Sequence, residues 1–269
     1  MLVISIQSQV VHGHVGNSAA VYPMQAAAVT VAAVPTALLS NHPHYPTMRG
    51  RILDDGLVDD LLRGVKERGL VERATVLMTG YLGSPEIAHW VTDFVADARK
   101  RNPRLIYLCD PVMGDDDLGV FVADGIAEVF RDQLVLLALL ITPNPFELEY
   151  LTAHEARDVG DLRTVCKQIA NHGCQAVIAT GCTLADTASG QVETILCEAG
   201  PYDAGNMLRV ATPRLPIRPC GTGDLLAGLT AAHLANGATL PDAMRYAVEG
   251  THAIFEKTCD AQAEELCLV

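Results

Sequence analysis

RPCGTGDLLAGL spans residues 218–229, and its reading decides the fold. Gly221 and Gly223 let the backbone turn tightly and approach another molecule closely. The segment that follows, LLAGLTAAHLA at 225–235, is apolar on nearly every side and predicts a buried helix. The first N–H groups of such a helix lack partners within it and carry the positive end of its dipole, so the turn suits an anion. Asp224 then has two readings. It caps the helix, as Asp often does, or it is a functional carboxylate beside an anion cradle. These residues leave both open.

Outward from this turn, strand-like and helix-like runs alternate. Short β-rich apolar runs at 2–6, 36–39, 74–78, 105–109, 136–141 and 176–179 have the character of strands buried in a parallel sheet. Helical runs fall between them at 17–33, 53–69, 85–101, 123–131 and 161–172, the last stopped by Gly173. The rhythm then changes. Runs at 192–197 and 207–211, separated by Gly-, Pro- and Asp-containing turn residues, predict an antiparallel pair at a sheet edge. Helices at 224–236 and 240–256 follow, and 266–269 predicts a last edge strand. With no repeat or linker, the expectation is one domain over 1–269, a three-layer α/β/α fold with a mainly parallel sheet and no large separate lid.

Composition narrows the partners. The 269 residues carry a formal net charge of −13, which disfavours nonspecific binding to nucleic acid or anionic lipid. No uninterrupted apolar run approaches the ~18 residues a membrane span needs. The opening MLVISIQSQV has neither a basic start nor a small-residue cleavage site, so a cytoplasmic location is expected. The eight cysteines form no CxxC pair, which argues against a cysteine zinc cluster and for reduced thiols.

In a parallel sheet, ligands bind beyond the carboxyl ends of the strands. The loops there read SQVVHGHVGN, SNHPHY, TGYLGS, DPVMGDDDLG, TPNPFE, TGCT and PCGTGD. Asp110 and Glu147, with the amide of Asn144, suit a hard oxygen-seeking cation such as Mg²⁺, held partly through water. Alternatively Asp110 caps a turn and Glu147 opens a helix, although both standing on one rim with GTGD favours a site. Ser8 is either a ligand donor or a plain loop hydroxyl, and Tyr81 either flanks a flat substrate or packs in the core. Histidines 12, 14, 42 and 44 form two His-x-His pairs. Residues i and i+2 of an extended loop point to opposite sides, so substrate contact or exposure is expected rather than zinc. The run 115–117, three aspartates, reads as a solvated loop. The glycine-rich loop at 13–16 lacks dinucleotide spacing, and no Walker-type motif occurs.

GTGD, CDPVMG and TPNPFELEYL together resemble the ribokinase-like superfamily of ATP-dependent small-molecule kinases. The opening SIQSQVVHGHVGNSAAVYPMQ, with LSNHPHY and TGYLGS, narrows the resemblance to pyridoxal kinases and carries it from Val3 to about Leu268. The resemblance implies that Asp224 is the general base for the 5′-hydroxymethyl group of pyridoxal. It implies an anion hole from the N–H groups of Gly221, Thr222 and Gly223. Asp110, Thr142 and Glu147 would surround ATP phosphates and Mg²⁺, with Asn144 outside them. Thr180 and the stretch Arg218, Pro219, Cys220 and Gly221 would border the nucleotide. Ser8, Pro43, His44 and Tyr81 would line the pyridine pocket, and the loop after Gly114 would be a flap. A homodimer is implied as well, and whether a monovalent cation such as K⁺ activates is left open. The family's substrate loop commonly reads Ser-Asn-His-Thr, whereas this chain has Pro43; Thr180-Gly181-Cys182 and the composition of 184–193 are further departures. The rival readings are a hydroxymethylpyrimidine or other small-molecule kinase of the superfamily, and a weakly catalytic B6-binding protein.

Overall fold

Alternation within the first strand sets the layers. In the computed structural model, which describes residues 1–198 and 207–269, β1 spans Leu2–Val10. Its Leu2, Ile4 and Ile6 join one hydrophobic cluster and Val3 joins the other, as the two-residue period of a strand requires. Next come α1 (Asn17–Ala26), β2 (Thr30–Leu39), β3 (Gly50–Ile52), α2 (Asp55–Glu67), α3 (Leu70–Arg73), β4 (Val76–Thr79), α4 (Pro85–Arg101) and β5 (Ile106–Cys109). A small hairpin of β6 (Gly114–Asp115) and β7 (Gly119–Val120) leads to α5 (Ile126–Val129), a wide π turn (Phe130–Leu134) and α6 (Val135–Leu137). Then follow β8 (Leu140–Ile141), α7 (Pro145–Thr152), α8 (Val159–Asn171), β9 (Ala176–Cys182), β10 (Gln191–Glu198) and β11 (Met207–Pro213). The chain closes with α9 (Thr222–Ala235) and α10 (Leu240–Asp260).

Nine strands form one sheet in the order β11-β10-β9-β8-β5-β4-β1-β2-β3. From β9 through β2 the neighbours pair in parallel, while the pairs β2–β3, β9–β10 and β10–β11 at the two edges are antiparallel. One face is covered by α2, α4, α5 and α8, the other by α1, α9 and α10. Burial on both faces explains why the central strands read as short continuous apolar runs. Helix α9 lies tight against α1: a Cβ on Gly228 would stand 2.8 Å from the Ala20 Cβ. Among the described residues no separate lid stands over the rim, and no helix is long and apolar enough to cross a membrane.

The α/β/α class with a mainly parallel sheet is as the sequence predicts. Helix α4 has the expected bounds, because Ser84 caps it (Oγ accepts from the Ile87 N–H at 3.2 Å) and Pro85 occupies its first turn. The antiparallel pair β10–β11 also forms; the turn expected between its strands falls on 199–206, outside the described residues.

Several boundaries differ. The helix expected over 17–33 stops at Ala26, and Ala28 takes a left-handed φ of 60°. Thr30 to Pro35 instead pair with β1, so strand pairing overrides the helical preference of the alanine run. The run 136–141 divides into the end of α6 and a two-residue β8. The helical stretch expected at 123–131 begins at Ile126 and continues to Leu137. β9 reaches Cys182, so Thr180-Gly181-Cys182 is strand rather than loop. Residues 266–269 form no strand: Leu266 is buried, and the chain beside it is held by the side chain of Glu265.

Candidate active site

Adjacent strands β5 and β8 bring Asp110 and Thr142 together at their carboxyl ends. The Thr142 Oγ1 hydroxyl donates to Asp110 Oδ1 at 2.9 Å. The sheet ladder continues one step past the strands, with Asp110 N–H on Thr79 O at 2.9 Å and Thr142 N–H on Cys109 O at 3.2 Å. The following turn opens α7 through a capping box. Asn144 Oδ1 accepts from the Glu147 N–H at 2.8 Å, and Glu147 Oε2 accepts from the Asn144 N–H at 2.9 Å. Glu147 Oε1 also accepts from Met113 N–H at 3.1 Å, and Asn144 Nδ2 donates to Gly114 O at 2.9 Å. One helix start therefore also anchors the loop after β5.

Asp110 and Glu147 are each only 4% exposed. Loss of water pushes both carboxyls well up. Asp224 adds to the rise at Asp110, and Asp110 adds to it at Glu147, against the N–H bonds that draw Glu147 back down. Neither has a cationic side-chain partner among the described residues. Acids held this way lack a positive charge, and a hard divalent cation would supply one.

The GTGD turn reaches the same corner from the helix side. Gly221 caps α9 in the left-handed conformation, and a Cβ there would lie 1.7 Å from the His14 carbonyl oxygen. Only glycine allows that approach. The helix starts at Thr222, two residues earlier than expected, so Asp224 is its third residue and makes no side-chain cap. That removes the capping reading. The side chain remains partly open to solvent, and the nearby Gly16 N–H draws its carboxyl down against the larger effect of lost hydration. A helix dipole alone would keep a carboxylate here ionised and weakly basic. In the structure, lost hydration raises the carboxyl, which makes it a stronger base. A Cβ on Gly223 would stand 4.0 Å from Asp110 Oδ2, so the bare helix start faces the second acid.

A third group of loops stands beside this corner. Ser8 is 5% exposed and packs under Gly16, where a Cβ would come within 2.5 Å of its Oγ. Tyr81 is half-buried, burial raises its phenol, and its carbonyl accepts from Thr36 Oγ1 at 2.7 Å. Pro43 and His44 are exposed, and His44 Nδ1 lies 3.1 Å from Cys220 Sγ. His42 and His44 were expected on opposite sides of an extended loop. The loop instead turns, Tyr45 N–H bonding His42 O at 3.4 Å, and the two rings lie 5.7 Å apart. Arg218 pairs with Asp117 of the β6–β7 hairpin, the loop expected to act as a flap. Half-buried Pro219 lies between that arginine and Cys220.

Thr180 stands farther along the rim, its N–H on Pro143 O at 2.9 Å. Beside it opens a cleft of about 370 Å³, lined by Pro145, Leu148, Arg157, Gly181, Thr183 and Leu184. Arg209 bridges Asp186 and Glu193 and so ties the ends of the 184–193 loop.

Sequence reasoning missed Glu265. Its Oε1 accepts from Tyr45 OH at 2.7 Å and pairs with His42 Nε2 at 2.8 Å, while Oε2 accepts from His14 N–H at 3.1 Å. One carboxylate near the end of the chain thus clamps the loops after β1 and β2. Its neighbours in sequence carry no motif that announces this.

With the GTGD turn on the rim of its mainly parallel sheet, the fold is that of the ribokinase-like class of small-molecule kinases. The sequence model of the phosphomethylpyrimidine kinase family matches residues 19–266, and the chain belongs to that family. It is 35% identical to pyridoxal kinase PdxY of Granulibacter bethesdensis, over 100% of this chain and 94% of the relative. Identity to the pyridoxine/pyridoxal/pyridoxamine kinase of Bordetella avium is 38%, covering 92% of this chain and 83% of that one. The pyridoxal kinase of Leishmania donovani in complex with ADP and ginkgotoxin matches in structure with a TM-score of 0.90, at 28% identity over 100% and 93% of the two chains.

Proposed function

We propose that the protein transfers the γ-phosphoryl group of ATP to the 5′-hydroxymethyl oxygen of pyridoxal, forming pyridoxal 5′-phosphate, and that pyridoxine and pyridoxamine enter the same pocket. One observation carries the reading: Asp224, released from capping, stands at the third position of a helix whose first amides are bare and whose start faces Asp110.

In this mechanism the Asp224 carboxylate takes the proton of the acceptor alcohol. The alcohol oxygen bonds to the γ-phosphorus, the bond to the bridging oxygen breaks, and ADP leaves. Phosphoryl transfer asks mostly for positioning and charge stabilisation, and the N–H groups of Gly221, Thr222 and Gly223 supply donors where charge develops. The raised pKa of Asp224 suits a base, because proton transfer improves as the base strengthens. Ser8, Pro43, His44 and Tyr81 form the pyridine side. Thr180, Arg218, Pro219 and Cys220 border the nucleotide, and the cleft beside Thr180 takes its nucleoside end; its volume is in the range of small-molecule sites.

Asp110 and Glu147 would hold Mg²⁺, partly through water, with Thr142 bonded to one acid and Asn144 orienting the other. Their burial without a cationic partner fits such an ion. Bound there, Mg²⁺ would neutralise charge on the phosphates. Folding of the β6–β7 hairpin over the site would exclude water and limit idle ATP hydrolysis. The resemblance adds a cytoplasmic location and a homodimer; only for the second do exposed Leu38 and Ile52, beside the open β3 edge, offer support.

The family's own description, phosphomethylpyrimidine kinase, favours a second reading in which a pyrimidine such as hydroxymethylpyrimidine is the acceptor. The test is ATP-dependent phosphorylation of pyridoxal, pyridoxine, pyridoxamine and hydroxymethylpyrimidine side by side, with and without Mg²⁺, in K⁺ and in Na⁺ buffers. Product from the B6 forms supports the proposal. Turnover of the pyrimidine alone replaces the acceptor and keeps the chemistry. Pyridoxal binding with no product from any acceptor moves the protein to a B6-binding role.

A further inference from the structure

His42 has a buried ring nitrogen with no partner. The residue is 6% exposed, its Nε2 lies 2.8 Å from Glu265 Oε1, and its Nδ1 has no hydrogen-bond partner among the described residues. A carboxylate at Nε2 holds the ring proton there, which leaves Nδ1 bare and aimed away from Glu265. Donor atoms of His42, His44 and Cys220 all lie within 4.8 Å of one another. Two imidazoles and a sulfur are the ligands that borderline-soft divalent ions select over magnesium. Tetrahedral zinc, with Zn–N of about 2.0–2.1 Å and Zn–S of about 2.3 Å, sets its ligand atoms roughly 3.3–3.7 Å apart. The set is thus slightly open, with His44 Nδ1 already 3.1 Å from Cys220 Sγ.

We propose that His42 Nδ1, His44 and Cys220 Sγ form a binding site for one zinc-type divalent cation, with Glu265 behind His42 and a fourth position open to solvent. Glu265 is itself fixed by Tyr45 OH and His14 N–H, so the carboxylate–histidine pair is oriented before any ion arrives. Burial, with the charges of Glu265, Asp224 and Asp115, pushes the Cys220 thiol up to about 11, so an arriving ion must displace its proton. On binding, the Cys220 thiol gives its proton to solvent as the sulfur–metal bond forms. The two ends of the rim then divide their ions by ligand chemistry. Oxygen donors at Asp110 and Glu147 suit magnesium, whereas nitrogen and sulfur at His42, His44 and Cys220 suit zinc. An ion here also pins the loop after β2 to the residue preceding Gly221. Because the kinase reading places His44 in the pyridine pocket, zinc and a B6 substrate would compete. That consequence alone rests on the kinase reading.

The test is a titration of the full chain, reduced and freed of metal by chelation, in the absence of any substrate. Co²⁺ serves as the probe and Zn²⁺ as the displacing ion. One Co²⁺ per chain is expected, with a sulfur-to-cobalt charge-transfer band and the strong visible bands of a tetrahedral site, both bleached by Zn²⁺ and untouched by Mg²⁺. Cys220→Ser should abolish the charge-transfer band, and Glu265→Gln should weaken Zn²⁺ binding about 10- to 100-fold. His44→Ala, at an exposed position, should weaken Zn²⁺ binding at unchanged melting temperature, which covers the case of a Cys220 or Glu265 variant that folds poorly. Cys259→Ser should change nothing. No charge-transfer band in the parent protein, a band that persists in Cys220→Ser, or equal displacement by Mg²⁺ would each overturn the site.

Discussion

The carbonyl oxygen of His14 occupies the space that a side chain on Gly221 would need, 1.7 Å from where its Cβ would be. Gly221 also has φ +79°, so Gly221→Ala meets both strain and a backbone collision. Together these should cost at least about 2 kcal/mol. Gly237 is the control, since it has φ +89° and a Cβ there would meet nothing within 4 Å. Chemical denaturation of the two alanine variants should show a clearly larger loss at Gly221. Equal losses would mean that the contact with His14 constrains nothing.

Gly223 poses the opposite case. It is helical, exposed, and a Cβ there makes only ordinary contact, 4.0 Å from Asp110 Oδ2. Gly223→Ala should therefore hold or raise stability, by up to about 1 kcal/mol. Turnover should fall sharply, because the methyl group enters the space where a phosphoryl group would meet the amides. A stable variant with full kcat would remove the anion hole from this turn.

Asp224→Asn tests the base directly. The amide keeps the shape and cannot take a proton, so kcat should drop by about 10²–10⁴ while ATP affinity stays nearly constant. The parent enzyme carries a second signature. Asp224 must be ionised to act, and its carboxyl is raised by lost hydration, so kcat/KM should climb with pH through a value above the ordinary Asp range. An acid limb at the ordinary Asp value, or a wild-type kcat in Asp224→Asn, would give the proton to another group.

The parallel order and most helices were legible because patterning carries them: the β5 run and the capped α4 show their character within a few residues. Ala28 was not legible, since an alanine in the left-handed region has no sequence signature, and the start of β2 depends on pairing with β1. At the site, glycines and carboxylates at strand ends named themselves through the rim rule. Glu265 escaped because its partners His42 and Tyr45 lie 223 and 220 residues away. The His42–His44 approach escaped for another reason: a turn in the loop defeats the alternation that an extended chain would have.

Arg218 and Asp117 join the β6–β7 hairpin to the turn before α9, yet their side chains are 73% and 58% exposed. Screening by water leaves such a pair worth less than about 1 kcal/mol. Arg218→Ala should thus leave the melting temperature within error. Its effect should fall on the hairpin instead, as a higher KM for ATP and faster ATP hydrolysis without acceptor. High salt should reproduce part of that change in the parent protein. Unaltered KM and hydrolysis would separate the hairpin from nucleotide handling.

Asp110→Asn sets stability against function. Asp110 is buried, raised by lost water and by the charge of Asp224, and bonded to Thr142 Oγ1. A carboxyl raised in the folded state binds its proton more tightly there than in the unfolded chain. Its contribution to stability is full below the ordinary carboxylate pKa and is lost as pH rises through the raised value. The metal-free parent should accordingly lose stability between about pH 4 and about pH 8. Asn accepts the same Thr142 hydrogen bond and carries no charge, so the variant should escape this part of the loss and be more stable at the upper pH by about 1–2 kcal/mol. Mg²⁺ should restore stability to the parent at that pH and do little for the variant, whose turnover should be nearly absent. Thermal melts of both proteins across this range, with and without Mg²⁺, decide the matter. A variant that melts lower than the parent at the upper pH, or gains equally from Mg²⁺, would show that the Asp110 charge is not held at a cost for the sake of the cation.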